Sequence, residues 1–139
     1  MRLATLLALA LLAIVFLASA AEDPSVDAEN TVGLASDETL GTFLVDGEGM
    51  TLYRFEDDDP GNGTSACYDA CADRWPIFFA ADIRVPEGLE LTDFQGFRRE
   101  DGTAQTTYKG WPLYRYFEDK LPGDVKGQGL GDVWFVVNP

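Results

Sequence analysis

Apolar and polar positions alternate in short runs along most of this chain, separated by clusters of Gly, Pro and Asp. Leu40-Gly41-Thr42-Phe43-Leu44-Val45 leads into Asp46-Gly47, and Met50-Thr51-Leu52-Tyr53-Arg54-Phe55 follows. β-Branched and aromatic residues on both sides of an Asp-Gly dipeptide, which tolerates positive φ, predict a β-hairpin. The run Glu56 to Thr64 breaks the pattern, because Pro60 removes a ladder donor and Gly61-Asn62-Gly63 favours turns. Ser65 is expected to N-cap a short helix from Ala66 to about Ala72 that carries Cys67 and Cys71 and ends before Trp75-Pro76. Ile77 to Ala80 reads as a strand and Asp82 to Glu90 as a loop. Phe94 to Arg99, Asp101-Gly102 and Ala104 to Tyr108 read as a second hairpin, followed by a strand from Leu113 to Phe117. After a glycine-rich loop from Pro122 to Gly131, Val133 to Val137 is a buried closing strand. About seven or eight strands and one short helix predict a mainly β fold, a single antiparallel β domain.

The pattern is duplicated. Leu52-Tyr53-Arg54-Phe55 matches Leu113-Tyr114-Arg115-Tyr116; each copy has a Gly three residues before its Leu (Gly49, Gly110) and an Asp five residues after its first Tyr (Asp58, Asp119). Upstream, Gly41 with Asp46-Gly47 matches Gly96 with Asp101-Gly102. The expected domain therefore spans residues 39–139 and holds two hairpin repeats, about 41–80 and 96–139, related by a pseudo-twofold. Alternation within a strand puts Tyr114 and Tyr116 on one face and Leu113 and Arg115 on the other, and likewise opposes Tyr53 and Phe55 to Leu52 and Arg54. Apolar bulk on both faces predicts a sheet covered on both sides, with partners needed for any buried tyrosine hydroxyl. Asp58 and Asp119 stand where a strand runs into a Pro-Gly loop, a position from which Asp accepts backbone N–H groups of the turn.

The start of the chain changes the compartment. Met1-Arg2, an uncharged apolar run and Ala18-Ser19-Ala20 have the layout of a signal peptide over residues 1–20, cleaved before Ala21. Residues 21–38, acidic and poor in large apolar side chains, are expected to be a flexible tether. The expected location is secreted or extracytoplasmic, in the cell envelope, with the membrane involved only where the N-terminal segment is retained as an anchor. The formal net charge is −14. Such a surface repels nucleic acid, which is not an expected partner, and suits a salty exterior in which the charge is screened.

The two Leu-Tyr-x-aromatic-x-x-Asp copies, the block Cys67…Cys71…Trp75-Pro76 and the ending Pro122-Gly123-Asp124…Gly127-Gln128-Gly129…Trp134 together resemble the predicted lipoprotein family with the Tyr-x-(Phe/Trp/Tyr)-x-x-Asp motif, a secreted repeat of unknown function. The resemblance runs from about Leu40 to Pro139. It implies an extracytoplasmic protein without an established activity or catalytic residues. The chain departs from lipid-anchored members in that its first Cys is Cys67.

Candidate chemistries can be ranked on the residues present. The chain has no histidine, which excludes Ser-His and Cys-His nucleophiles and leaves a zinc, copper or haem site without its usual ligand. Cys67 and Cys71 are expected to form a disulfide, since an even pair in an oxidising compartment does so; a thiol redox role is the weaker reading, because the spacing is not Cys-x-x-Cys. A carboxylate pair made of Asp58 and Asp119 is the remaining route to a hydrolase. Asp57, Asp58, Asp59, Asp119 and Asp124 are weak calcium candidates, as Pro60 falls where an EF-hand would need a ligand. The reading is a non-enzymatic structural or binding module of the envelope with no cofactor, its ligand or extracellular partner undefined; a calcium-dependent binder is the alternative.

Overall fold

The computed structural model describes residues 28–139, so the expected signal peptide and the first part of the expected tether, residues 21–27, lie outside the described residues. Seven strands follow in order: β1 (Val32–Asp37), β2 (Gly41–Asp46), β3 (Tyr53–Phe55), β4 (Phe94–Arg98), β5 (Ala104–Tyr108), β6 (Trp111–Pro112) and β7 (Trp134–Val136). One short helix, α1 (Ala70–Arg74), stands between β3 and β4. Pairing is antiparallel throughout the three small sheets, β1-β2, β3-β7 and β4-β5-β6.

Three-way rings of backbone bonds knit the sheets together. Leu44 N–H donates to Val137 O (2.8 Å), Leu52 N–H to Leu44 O (3.0 Å) and Val137 N–H to Leu52 O (3.2 Å). The second half repeats the ring: Thr106 N–H to Phe78 O (2.9 Å), Leu113 N–H to Thr106 O (3.0 Å) and Phe78 N–H to Leu113 O (2.9 Å). Between the rings, Tyr53 and Tyr114 exchange both N–H···O bonds, at 2.8 and 3.0 Å. This reciprocal pair marks the pseudo-twofold. It also shows that the last segment of each repeat has crossed over: Phe78 follows the first motif but pairs beside the second, and Val137 does the reverse.

The two faces of the motif strands feed two cores, as their alternation requires. Leu52 and Leu113 pack with Val32, Leu44, Phe78 and Val137. Tyr53, Tyr114 and Tyr116 pack with Trp75, Trp134 and Cys67.

Several local expectations are corrected. Val32–Asp37 is a strand, although it lies within the span read as a tether. It pairs along the whole of β2, with Val32 fully buried, so backbone pairing to an open edge supplies what its weak apolar pattern does not. The helix starts at Ala70, and Cys67 precedes it; Ser65 Oγ instead accepts the Cys67 N–H (3.1 Å) in a local turn. Ile77 and Tyr114 meet only in an isolated bridge, because the irregular Arg74–Phe78 segment pairs with Leu113–Phe117 through bonds such as Arg115 N–H to Pro76 O (2.7 Å). The Asp-Gly pairs also occupy different turns. Asp101-Gly102 joins β4 to β5, whereas Asp46-Gly47 follows β2, the strand that corresponds to β5 in the rings.

Candidate functional site

Each motif tyrosine bonds to the aspartate of the other repeat. Tyr53 donates its hydroxyl to Asp119 Oδ2 at 2.6 Å, and Tyr114 donates to Asp58 Oδ2 at 2.7 Å. The other carboxylate oxygens accept loop amides: Ala66 N–H on Asp58 Oδ1 (2.7 Å) and Lys126 N–H on Asp119 Oδ1 (3.0 Å). Second partners complete the tyrosines, with Gly127 N–H on Tyr53 Oη (3.2 Å) and Ser65 Oγ beside Tyr114 Oη (2.7 Å). Both tyrosines and both aspartates are buried.

Burial dominates the electrostatics. Desolvation raises the Asp58 and Asp119 pKa values above the ordinary carboxylate value, against the lowering effect of the bonds each accepts. Burial, and then the neighbouring carboxylate, push the Tyr53 and Tyr114 hydroxyls far above the ordinary tyrosine value. The tyrosines therefore remain neutral donors.

The motif glycines have a related task. Gly49 and Gly110 have φ values of 84° and 86°, and each receives the opposite repeat's Pro-Gly loop: Gly123 N–H donates to Gly49 O (3.3 Å) and Gly61 N–H to Gly110 O (3.1 Å). A Cβ on Gly110 would lie 2.7 Å from Gly61 N, and one on Gly49 would lie 3.0 Å from Pro122 Cβ.

Around Asp58 the first loop is braced by groups that the motif does not predict. Arg99, buried, donates to Ser65 Oγ (2.8 Å), to Gln105 Oε1 (2.6 Å) and to Cys67 O, and its guanidinium lies 4.3 Å from the Tyr68 ring centroid. Cys67 and Cys71 form a disulfide with a Cα–Cα distance of 5.3 Å, and Cys71 O accepts the Trp75 N–H (2.8 Å). Only the charge mismatch of a buried-pattern Arg beside a turn would have singled out Arg99.

The remaining candidates are dispersed. Asp57 and Asp59 are exposed, and Asp59 accepts the Asn62 side-chain amide. Asp124 Oδ2 accepts the Lys120 and Leu121 N–H groups at 2.9 and 3.0 Å, bonds that lower its pKa. Among the described residues, no group of three or more His, Cys, Asp or Glu side chains is disposed to hold a metal ion.

A model of the family described as a secreted repeat of unknown function matches residues 35–78 and 97–138. The chain belongs to that family. The two matched segments start 62 residues apart, as do Leu44 and Thr106 in the two rings, so in this chain the family's repeat has the same spacing as the two rings. No curated protein and no solved structure matches the chain. No helix among the described residues is long and apolar enough to cross a membrane.

Proposed function

We propose that this secreted repeat protein is a non-enzymatic structural or binding module of the cell exterior or envelope. One observation carries the reading: the Leu, Tyr and Asp side chains that recur between the repeats are spent on holding the repeats to each other. Leu52 and Leu113 fill one core, Tyr53 and Tyr114 the other, and Asp58 and Asp119 have both oxygens engaged by the opposite tyrosine and a loop amide. A general acid or a cation ligand needs a lone pair or proton turned toward a ligand, and these carboxylates are turned inward.

The test is a thermal melt of the wild type, Asp58→Asn and Asp119→Asn, with and without calcium at fixed ionic strength. Both substitutions are expected to lower Tm by the equivalent of about 1–3 kcal/mol, the cost of a buried hydrogen bond left mismatched, and calcium is expected to leave all three unchanged. A calcium-dependent rise in the wild type that either substitution abolishes would favour a calcium-dependent binder.

A further inference from the structure

The pseudo-twofold allows one arginine to be read against its twin. Arg115, two residues after Leu113, bonds through Nε to Asp46 Oδ2 at 2.6 Å, and its guanidinium lies 5.2 Å from the Phe78 ring. Arg54 is the corresponding residue, two after Leu52. The rings of backbone bonds make Tyr108 the counterpart of Asp46 and Val137 the counterpart of Phe78. At these two positions a phenol and a smaller side chain thus stand in for the carboxylate and the ring, and the rings beside Arg54 are instead those of Trp111 and Phe135, at 5.1 and 5.4 Å.

Space opens beside Tyr108 and Val137. A cavity of about 270 Å³ is lined by Arg54, Tyr108, Lys109, Trp111, Val137 and Asn138. Its cationic wall has two members in a chain of net charge −14, and aromatic surface lies alongside: Arg54 is 5.1 Å from the Trp111 centroid and Lys109 Nζ 5.2 Å from that of Tyr108. The ion pair of Arg54 is with Glu56, an exposed residue just past the end of β3. Such an exposed pair adds little stability and yields readily to a competing carboxylate.

We propose that this cavity is a binding site for a small ring-bearing carboxylate, its anionic group taking beside Arg54 the place that Asp46 takes beside Arg115. Arg supplies a planar fork of donors matched to a carboxylate, Lys109 adds a second positive charge, and Trp111 and Tyr108 offer flat apolar surface to one ring, the size the volume admits. A sugar acid and an aromatic acid share this chemistry. The proposal rests on the module being a binder, and it leaves the Tyr-Asp pairs untouched.

The experiment is an NMR titration of the full secreted chain at constant ionic strength, following the three tryptophan indole N–H signals. Trp75 and Trp134 are buried, so they serve as internal controls for Trp111. The probes are glucuronate and benzoate, with methyl glucoside and benzamide as their neutral counterparts. Either acid or both should move the Trp111 signal with a millimolar-range Kd while the neutral probes do not, and which acid binds more tightly identifies the source. Arg54→Gln should weaken binding about tenfold or more, and Val137→Phe, which copies Phe78, should abolish it by filling the cavity. Lys109→Gln, at an exposed position, should weaken binding severalfold and serves if either other variant melts early. The proposal is overturned if neither acid moves Trp111 at about 50 mM, if the neutral probes move it equally, or if the variants that stay folded bind as the wild type does. A silent titration alongside melts insensitive to calcium would leave the structural module standing without this site.

Discussion

Trp75 and Trp134 lie face to face, their ring centroids 3.7 Å apart and their planes 3° from parallel. Each follows the aspartate of its own repeat, and each meets one tyrosine edge-on: Trp75 with Tyr53 at 5.4 Å and Trp134 with Tyr114 at 5.1 Å. Phe55 stacks on the outer face of Trp134 (4.2 Å) and Tyr116 lies against Trp75 (4.4 Å). The seam between the repeats is therefore a continuous aromatic column. Its tyrosines are edge-on to the column, which directs their hydroxyls to the carboxylates of the opposite repeat.

The exchange of partners can be measured by double-mutant cycles. Tyr53→Phe with Asp119→Asn, and Tyr114→Phe with Asp58→Asn, should each show a coupling of about 0.5–3 kcal/mol in denaturant unfolding. The within-repeat combinations, Tyr53 with Asp58 and Tyr114 with Asp119, should couple more weakly. A larger within-repeat coupling would contradict the crossed geometry.

Alanine at the motif glycines should separate strain from collision. Both positions carry the left-handed backbone cost, about 1–2 kcal/mol for a non-glycine residue. Gly110→Ala adds a clash with the backbone of Gly61, which cannot rotate away, whereas Gly49→Ala meets the edge of the Pro122 ring. Gly110→Ala is expected to lower Tm more, and the reverse order would mean that the Pro122 loop is the stiffer of the two.

The buried acids give a pH dependence of definite sign. Burial raises Asp58 and Asp119 in the fold, so their contribution is fully present below the unfolded carboxylate pKa and is lost as pH rises through the raised folded value. The Tm advantage of wild type over Asp119→Asn should therefore be larger near pH 4 than at pH 7. Asp101, lowered by the Thr103 hydroxyl and then its amide, and Asp124, lowered by the Leu121 and Lys120 amides, should behave oppositely: their contributions are present above the unfolded pKa and lost as pH falls. Melts of the four Asp→Asn variants across that range are the check.

The Cys67–Cys71 bridge closes a short loop, so its chain-entropy contribution is limited to about 2 kcal/mol. Mass spectrometry of secreted protein should show two hydrogens fewer than the reduced chain, and Cys67→Ser with Cys71→Ser should lower Tm modestly while leaving the fold intact. Complete unfolding of the double variant would show that the bridge also holds the loop that presents Ala66 to Asp58.

What could be read along the chain was what a local period records. The alternation at Tyr53-Arg54-Phe55 and Leu113-Tyr114-Arg115-Tyr116 sorts side chains to two faces whatever the sheet pairs with, so a β domain, two repeats and a two-sided core were legible in the residues. Asp58 and Asp119 announced turns because their distance from the Pro-Gly loops is short. β1 was not legible: Val32–Asp37 has little apolar character of its own, and its order comes from the β2 edge it covers.

The crossing of the repeats was hidden for a different reason. A repeat in sequence is satisfied equally well by Tyr53 bonding Asp58 or Asp119, since the motif is the same in both copies and only folding chooses between them. Trp75 and Trp134 each precede by three residues the one that completes a ring, Phe78 and Val137, which was a readable signal; that the two indoles would stack on each other was not. Arg99 reaches Ser65, Gln105 and Cys67 across more than thirty residues of chain in two of its three bonds, and the different fates of Arg54 and Arg115 depend on Tyr108 and Asp46, residues of the opposite repeat. Local chemistry wrote the strands and turns, while the pairing of identical motifs was settled by which arrangement buries the tyrosines, the aspartates and both tryptophans at once.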